Sequence, residues 1–259
     1  MPLEAVLLDL DNTLILYDEL RFFRLYLQLA SVHFSDLVSS EEWQDHLLES
    51  TQALLQNRGS KTNERFFLED LGKRFGEKSE AVEDLLRSFN NGPYEKLRSL
   101  VAVAEGAEWV VNSLKGRGLR LVLATNPILP LDLQLRRLAW AGIRPEIFEL
   151  ITHMGNMSYC KPQVEYFTSI CDRMNVSPSS CLMVGNDPVN DMTAGHAGLK
   201  TYLTTDAREV DVSNLQLSRR MRKDSGDGGI RPDFEGPLIG VIKAVTKLKE
   251  KTSGTLRQV

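Results

Sequence analysis

The chain has 259 residues, of which 42% are hydrophobic and 25% charged, as in ordinary globular proteins of one or two domains. Its 31 basic and 35 acidic residues give a formal net charge of −4, so neither nucleic acid nor an anionic membrane is expected as a partner. Three sparse cysteines without metal-ligand spacing predict reduced thiols in a cytoplasmic protein. Asp9 interrupts the first apolar run, and no stretch is apolar enough to span a bilayer, so we expect neither a signal peptide nor a membrane segment.

The first apolar run, residues 3–8, is followed directly by Asp9-Leu10-Asp11-Asn12-Thr13. A continuous run rich in valine and leucine predicts a strand that is covered on both faces, as in a parallel sheet. Two carboxylates so close together repel each other and lose hydration unless a cation or a proton compensates them. The pattern therefore indicates a metal-assisted catalytic pair, and the alternative is a simple acidic turn after a strand.

Four helical segments come next, each with apolar residues spaced for one helical face. These faces consist of Phe22, Leu25, Leu29 and Val32; of Trp43, Leu47 and Leu54; of Phe67, Leu71 and Phe75; and of Val82, Leu85, Leu86 and Phe89. We predict that they form the core of a small helical bundle. The sequence Asn90-Asn91-Gly92-Pro93 predicts the end of the fourth helix and a hinge.

From about Leu97 onward, helical and strand patterns alternate. Strands are predicted for residues 119–124, 147–152, 181–184 and 201–204, with helices between them and a closing amphipathic helix over residues 238–248. This alternation predicts right-handed βαβ units, and hence an α/β fold with a doubly wound parallel sheet. The polar, glycine-containing sequence of residues 206–232 predicts a long loop or a partly disordered segment. Its basic cluster at 219–223 is expected to be solvated, and the alternative is a partner site.

Polar side chains follow the predicted strands at the edge where ligands bind in open parallel sheets. Asp9 and Asp11 end the first strand, Thr125-Asn126 the second, and a segment containing Asn186, Asp187 and Asp191 the strand at 181–184, while Lys161-Pro162 begins a helix at the same edge. Carboxylates, a hydroxyl, an amide and an ammonium suit a divalent cation such as Mg²⁺ beside a phosphoryl group. A carboxylate can also act as a covalent nucleophile toward phosphorus.

These four elements, in this order, resemble the haloacid dehalogenase-like (HAD) hydrolase superfamily, in the branch whose helical cap is inserted directly after the first motif. The resemblance covers residues 3 to about 205, and the cap matches only in position and helical character. It implies a Rossmann-like catalytic core of residues 1–16 and 97–259 and a helical cap domain of residues 17–96.

The resemblance also implies roles for individual residues. Asp9 would be the nucleophile and a Mg²⁺ ligand, and Asp11 the general acid and base, whose backbone carbonyl would also ligate the metal. Thr125, Asn126 and Lys161 would hold the phosphoryl group.

The last motif departs from the commonest family form, because Asn186 stands where an aspartate usually follows the glycine. Either Asp187 or Asn186 would complete the metal site, and Asp187 is favoured for its charge. Asp191 is expected to orient Lys161 or a bound water.

The function implied is a Mg²⁺-dependent phosphatase that acts on a small phosphorylated metabolite, under a cap that closes over the site. The acid at Asp11 argues for phosphoryl chemistry over dehalogenation. Two alternatives remain: a phosphotransferase or phosphomutase of the same fold, and a weakly catalytic regulatory protein that binds a phosphorylated ligand.

Several neighbours of the motifs have simpler interpretations. Cys160 is expected to be a small half-buried residue, and the alternative is an oxidation-sensitive thiol that regulates activity. Tyr17 and Arg21 are expected to pack at the cap hinge, although they could face the substrate. His153 is the histidine expected nearest the site.

Overall fold

A parallel sheet organises the chain, as seen in a computed structural model that describes residues 2–207 and 230–255. The strands are β1 (Ala5–Leu8), β2 (Ile15–Leu16), β3 (Ala102–Val103), β4 (Arg120–Leu123), β5 (Leu150–Ile151), β6 (Cys181–Gly185), β7 (Lys200–Thr204) and β8 (Phe234–Gly236). Six of them form one sheet in the order β5-β4-β1-β6-β7-β8, with every neighbouring pair parallel. β1 is central, so the segment that follows it lies in the middle of the sheet edge.

The helices are α1 (Glu19–Phe34), α2 (Ser40–Leu55), α3 (Asn63–Phe75), α4 (Ser79–Asn91), α5 (Ala107–Gly116), α6 (Leu131–Trp140), α7 (Val164–Met174) and α8 (Val241–Thr255). The helices α1–α4 lie between β2 and β3 in the chain and are called the cap below. Among the described residues, no helix combines the length and the apolar character needed to cross a bilayer.

Successive residues of β1 face opposite sides of the sheet, and both sides are buried. Val6 and Leu8 belong to one hydrophobic cluster, whereas Ala5 and Leu7 belong to another. The first cluster includes residues of α5 and α8, and the second includes the buried face of α7. Helices therefore cover both faces, which confirms the predicted α/β fold with a doubly wound parallel sheet.

The cap consists of the four helices predicted from apolar spacing. Asp18, Ser39 and Thr62 cap the starts of α1, α2 and α3, and each accepts a hydrogen bond from the backbone amide three residues later. The rings of Phe34 and Trp43 stack with their centroids 3.7 Å apart in the interior of the bundle. One prediction is wrong, because Val32 is 72% exposed and does not lie on the buried face of α1.

A short antiparallel ribbon joins the sheet to the cap. β2 pairs with β3, with Ile15 opposite Val103 and Leu16 opposite Ala102. Each strand has only two residues, which is too short to give a recognisable alternation in the sequence. The ribbon brings the two ends of the cap together beside the loop that follows β1. The domain boundaries at residues 16–17 and 96–97 stay a prediction.

Other elements differ from their sequence predictions in length. β5 has two residues instead of six, because a 3₁₀ turn at Pro145–Ile147 occupies the start of the predicted strand. A 3₁₀ helix at Met192–Ala197 replaces the predicted α-helix before β7. β8 was missed, and it lies beyond residues 208–229, where most of the predicted loop and its basic cluster fall outside the described residues.

Candidate active site

The loop after β1 places Asp9 at the carboxyl end of the central strand. The Asp9 amide donates to the Val184 carbonyl, which continues the ladder between β1 and β6 for one more residue. Asn12 then adopts a left-handed conformation with φ of 53°, and its side chain accepts a hydrogen bond from the Tyr17 amide at 3.1 Å. Asparagine tolerates this conformation because its short side chain can bond to the local backbone. The turn thus returns the chain toward β2 and leaves the first carboxylate at the sheet edge.

Two side chains hold the Asp9 carboxylate, which is only 6% exposed. The Lys161 ammonium donates to Oδ1 at 2.8 Å, and the Thr13 hydroxyl donates to Oδ2 at 3.2 Å. A buried carboxylate is retained only when charge and hydrogen bonds replace its hydration. Asp9 and Lys161, 152 residues apart in sequence, are therefore the centre of the charged site.

Lys161 lies between two carboxylates. Its ammonium also donates to Asp191 Oδ1 at 2.6 Å, while Asp191 Oδ2 accepts from the Asp187 amide at 3.0 Å. Burial alone would lower the pKa of Lys161, but the charges of Asp191 and Asp9 outweigh it, so the pKa is raised and the ammonium stays protonated. Burial raises the pKa of Asp191 above its ordinary value, against the opposing effect of Lys161.

Gly185 allows Asp191 to lie directly against the end of β6. A Cβ atom at Gly185 would overlap the carboxyl group of Asp191. Glycine is needed here for close approach of a side chain to the backbone. Gly185 thus helps to position Lys161 indirectly, because it leaves room for the Asp191 carboxylate that binds the lysine.

Asn186 and Asp187 differ in what their side chains contact. The Asn186 amide oxygen lies 3.4 Å from the Thr13 hydroxyl, which also contacts Asp9. The Asp187 carboxylate instead accepts hydrogen bonds from the Val189 and Asn190 backbone amides at 2.8 and 2.9 Å, and from the Asn190 side chain at 2.9 Å. Asn186 therefore lies next to the hydroxyl that binds Asp9, whereas the Asp187 carboxylate is bonded within its own loop.

Thr125 and Asn126 end β4 on the other side of β1. Within the described ranges, the buried Thr125 hydroxyl has no hydrogen-bond partner. The carbonyl of the same residue accepts from Thr152 Oγ1 at 2.7 Å and from the Tyr166 hydroxyl at 2.8 Å. The Asn126 side-chain oxygen accepts from the Lys161 amide at 3.2 Å. An orphaned buried hydroxyl beside a charged site is what a bound oxygen ligand would satisfy.

Asp11 pairs with an arginine that the sequence interpretation missed. Arg137 on α6 forms an ion pair with Asp11 Oδ1 and donates to the Tyr17 hydroxyl at 3.1 Å. The exposed fraction is 4% for the arginine side chain and 33% for that of Asp11. Burial lowers the pKa of Arg137 to about 10, and the Asp9 charge opposes the shift, so the guanidinium remains charged at neutral pH. The sequence signal that could have identified Arg137 is its position directly before Leu138, on the buried face of α6.

The residues around Asp9 are compatible with a hard divalent cation. In the described ranges, no three His, Cys, Asp or Glu side chains are arranged to hold a metal ion. A cation beside Asp9 would therefore also use the amide oxygen of Asn186, backbone carbonyl and water oxygens. Mg²⁺ fits such a set, because it usually keeps several waters and takes only one or two carboxylates from the protein.

Comparison with known proteins identifies the family. The model for haloacid dehalogenase-like hydrolases matches residues 3–198, which include every site residue described above. The chain belongs to the haloacid dehalogenase-like hydrolases. It is therefore an enzyme of the hydrolase class, as the four motifs predicted.

Individual relatives within this family are distant. Pyrophosphatase PpaX from Bacillus cereus is 24% identical over 204 residues, covering 78% of this chain and 82% of the relative. A HAD phosphatase from Thermococcus onnurineus superimposes with a TM-score of 0.55 at 20% identity, covering 94% of this chain and 98% of that one. A 2-haloacid dehalogenase from Pseudomonas syringae gives 0.56 at 18% identity, with 95% and 99% covered. These solved structures share the HAD fold.

The cap of this HAD hydrolase is docked on the core through Asn63. This side chain is fully buried, and its Nδ2 donates to the Pro127 carbonyl at 3.2 Å, while its Oδ1 accepts from Asn57 at 2.9 Å. The Asn63 amide donates to the Met157 carbonyl at 2.8 Å, and the next amide, of Glu64, donates to the Met154 carbonyl. The start of α3 is thus fixed to loops of the sheet domain beside the site.

A cavity of about 650 Å³ lies between cap and core. Asp11, Asn126 and Arg137 line it on the core side, so it reaches the motif residues directly. Its cap side is mostly aromatic and aliphatic. Substrate can therefore contact the general acid candidate and the cap at the same time.

The structure places Tyr17, Arg21 and Cys160, which are neighbours of the motifs in sequence, in different environments. Tyr17 lines the cavity as well as packing against Phe22, so it faces the space open to substrate. Arg21 is not among the residues that line this cavity. Cys160 is fully buried, not half-buried, and burial raises its pKa to about 12. Burial therefore argues against the oxidation-sensitive alternative for Cys160, because reactivity requires an accessible thiolate.

Proposed function

We propose that this hydrolase is a Mg²⁺-dependent phosphatase that hydrolyses a small phosphomonoester through an aspartyl-phosphate on Asp9. The observation that carries the proposal is the buried Asp9 carboxylate at the end of the central strand. Lys161 and Thr13 hold it in place, and the cavity opens beside it at Asp11. A fixed carboxylate next to a permanent cation suits attack on an anionic phosphoryl group.

In the first half of the reaction, an Asp9 oxygen attacks phosphorus and the bond from phosphorus to the alcohol oxygen breaks. Asp11 donates a proton to the departing alkoxide, which leaves as the neutral alcohol. In the second half, Asp11 takes a proton from water, the resulting hydroxide attacks the phosphoryl group, and inorganic phosphate leaves Asp9. Arg137 is paired with Asp11 and would hold its carboxyl group in position for both proton transfers.

Three groups are placed to stabilise the charge on the phosphoryl oxygens. The Thr125 hydroxyl is buried and has no hydrogen-bond partner among the residues that the structure describes, so it can donate to one of these oxygens. The Asn126 side chain has its oxygen engaged by the Lys161 amide, which leaves its amino group for a second oxygen. The Lys161 ammonium neutralises charge next to Asp9. Phosphoryl transfer depends mainly on such positioning and electrostatics.

The cation would be held by the Asp9 carboxylate, the Asp11 backbone carbonyl and the Asn186 amide oxygen. When bound, Mg²⁺ would supply positive charge that offsets the repulsion between a carboxylate and a phosphate dianion. We infer that Asn186 and not Asp187 is the ligand, because Asp187 is engaged with its own loop. Asn186→Ala should therefore weaken the Mg²⁺-induced rise in melting temperature more than Val189→Ala, a control in the same loop.

The proposal is tested by release of inorganic phosphate from 4-nitrophenyl phosphate by the full chain, with Mg²⁺ and with a chelator. We expect Mg²⁺-dependent release that Asp9→Asn abolishes. Asp36→Asn is the matched control, because this aspartate is exposed in the loop between α1 and α2. Equal activity of Asp9→Asn and the wild type would refute the assignment of the nucleophile.

The relatives supply competing substrates for the same assay. The PpaX name indicates inorganic pyrophosphate as a substrate, and the Pseudomonas structure is named for 2-haloacids. We propose that the second activity is absent here, because Asp11 provides an acid for an alcohol leaving group. Halide release from a 2-haloacid at a rate equal to phosphate release would contradict this. Phosphoryl transfer to an added sugar phosphate, with little free phosphate, would instead support the phosphomutase alternative.

We also infer a reducing, cytoplasmic location and a small phosphorylated metabolite as partner. The cysteines Cys160, Cys171 and Cys181 are all free and buried. The sulfur atoms of Cys171 and Cys181 lie 3.9 Å apart as a thiol pair without a covalent bond. Sparse, buried cysteines without a disulfide framework are typical of proteins from compartments that keep thiols reduced.

A further inference from the structure

The cavity between cap and core is lined mainly by apolar side chains. On the cap side they include Phe22, Phe23, Tyr26, Leu47, Leu68 and Leu86. On the core side, Ile128, Leu129 and Leu133 face the same space. Its volume of about 650 Å³ is in the range of sites for small organic molecules. The cavity is therefore large enough for a leaving group of the size of an aromatic ring system, next to the proposed phosphoryl site.

The charges around this cavity are unsuitable for an anionic group. In the part of the chain that the structure describes, the two cationic residues of the lining are Arg87 and Arg137. Arg87 pairs with Asp84 at 3.1 Å and Glu83 at 3.8 Å, and Arg137 pairs with Asp11.

Acidic side chains are more numerous in the same lining. Glu19, Glu64, Glu83 and Asp132 accompany Asp11. A carboxylate or second phosphate on the substrate would thus meet carboxylates and apolar surface. Arg137 is already paired at a buried position, and Arg87, whose side chain is 67% exposed, would have to leave its acidic partners to bind such a group. Burying an unpaired charge against such a surface is unfavourable.

We propose that the leaving group is a bulky apolar alcohol without an anionic substituent, such as an aryl or alkyl alcohol. This inference rests on the proposed phosphatase function and specifies its substrate class. Burial of an apolar leaving group against the aromatic and leucine side chains of the cavity would contribute favourable binding free energy. Lys161 and the groups around Asp9 would bind the phosphoryl end. The preferred substrates therefore differ in kind from pyrophosphate, which the name of the PpaX relative indicates.

The direct test compares kcat/KM for two substrates that differ in one charge, 2-naphthyl phosphate and 6-carboxy-2-naphthyl phosphate. The full chain with Mg²⁺ should prefer the uncharged ring by at least about tenfold, or about 1.4 kcal/mol. It should also prefer 2-naphthyl phosphate over pyrophosphate. Equal or higher kcat/KM for the carboxylated ring or for pyrophosphate would overturn the inference.

A pair of variants tests whether the cavity is the source of this preference. Phe22→Ala removes a ring from the lining and should lower kcat/KM for 2-naphthyl phosphate by about tenfold, with less than about threefold effect on methyl phosphate. Phe66→Ala is the control, because Phe66 is also a half-buried ring of the cap but does not line the cavity. An equal loss on both substrates in Phe22→Ala would contradict a role of this ring in leaving-group recognition.

Binding to the Asp9→Asn variant separates failure of the substrate class from failure of the phosphatase proposal. Calorimetry should show at least about tenfold tighter binding of 2-naphthyl phosphate than of its carboxylated analogue, even if no substrate is turned over. Turnover of 4-nitrophenyl phosphate with equal binding of both rings would refute the leaving-group class alone. Absence of turnover on every phosphate, with selective binding retained, would refute the phosphatase function and leave the selectivity of the cavity established.

Discussion

Asp11 and Arg137 should contribute unequally to stability, although they form one ion pair. Arg137 is almost fully buried, and its Nε atom already lacks a hydrogen-bond partner in the described part of the chain, whereas the side chain of Asp11 is 33% exposed. Asp11→Asn therefore leaves a buried guanidinium without its counter-ion. Arg137→Met leaves a carboxylate that water can reach, and methionine fills much of the same space.

The magnitude follows from this difference in burial. Removing one partner of a fully buried ion pair costs about 3–5 kcal/mol. Because water partly screens Asp11, we expect Asp11→Asn to lower the free energy of unfolding by about 2–3 kcal/mol. Arg137→Met should lower it by less than about 1 kcal/mol, since replacing buried ionic groups by apolar ones is often nearly neutral. The double variant should be about as stable as Arg137→Met, so the coupling energy of the two residues should be about 2–3 kcal/mol.

Urea unfolding at neutral pH, followed by circular dichroism without Mg²⁺, measures all three variants on one scale. Glu149→Gln is the control, because its pair with Arg120 is on the surface, where such pairs contribute at most about 1 kcal/mol. The reasoning is refuted if Asp11→Asn is as stable as the wild type, or if Arg137→Met is the less stable variant.

Lys161→Met should lower the free energy of unfolding by about 3 kcal/mol at pH 7, because it leaves buried carboxylates without their cation. Burial raises the folded-state pKa of Asp191 above its unfolded value. The stability difference between the wild type and Lys161→Met should therefore shrink as the pH falls and the carboxyl group takes up a proton. A larger stability difference in urea titrations at about pH 5 would contradict this prediction. Gly185→Ala should abolish most phosphatase activity by displacing Asp191, whereas Gly116→Ala, where a Cβ meets open space, should keep it. Peroxide should inactivate Cys160→Ala and the wild type equally, because burial raises the pKa of this thiol to about 12; protection by the substitution would show that it reacts.

Much of the fold was predictable because it depends on local periodicity. The buried run at β1 and the polar residues after β1, β4 and β6 defined a parallel sheet and its functional edge. The ribbon of β2 and β3 was not predictable, since two residues per strand carry no period. β8 was missed for a similar reason, as it has three residues and lies beyond a long polar segment.

In the site, the sequence predicted which motifs lie close together but not the direction of each side chain. Asp9 and Lys161 were predicted as neighbours because both belong to motifs at one sheet edge, and the structure places them 2.8 Å apart. Charge alone favoured Asp187 over Asn186 as a metal ligand, whereas our proposal of Asn186 depends on which side chain turns into the loop, and a sequence pattern does not determine that. Arg137 was missed because it belongs to no motif and meets Asp11 only through the packing of α6 against the loop after β1.

Under the proposed mechanism, the Asp9 carboxylate becomes phosphorylated during turnover. The most direct test is acid quenching of the wild type within the first turnover on an aryl phosphate with Mg²⁺, followed by digestion and mass spectrometry. We predict one phosphoryl group on the peptide that contains Asp9, and none in Asp9→Asn. Steady release of phosphate with the Asp9 peptide unmodified, or with the label on another residue, would contradict the account.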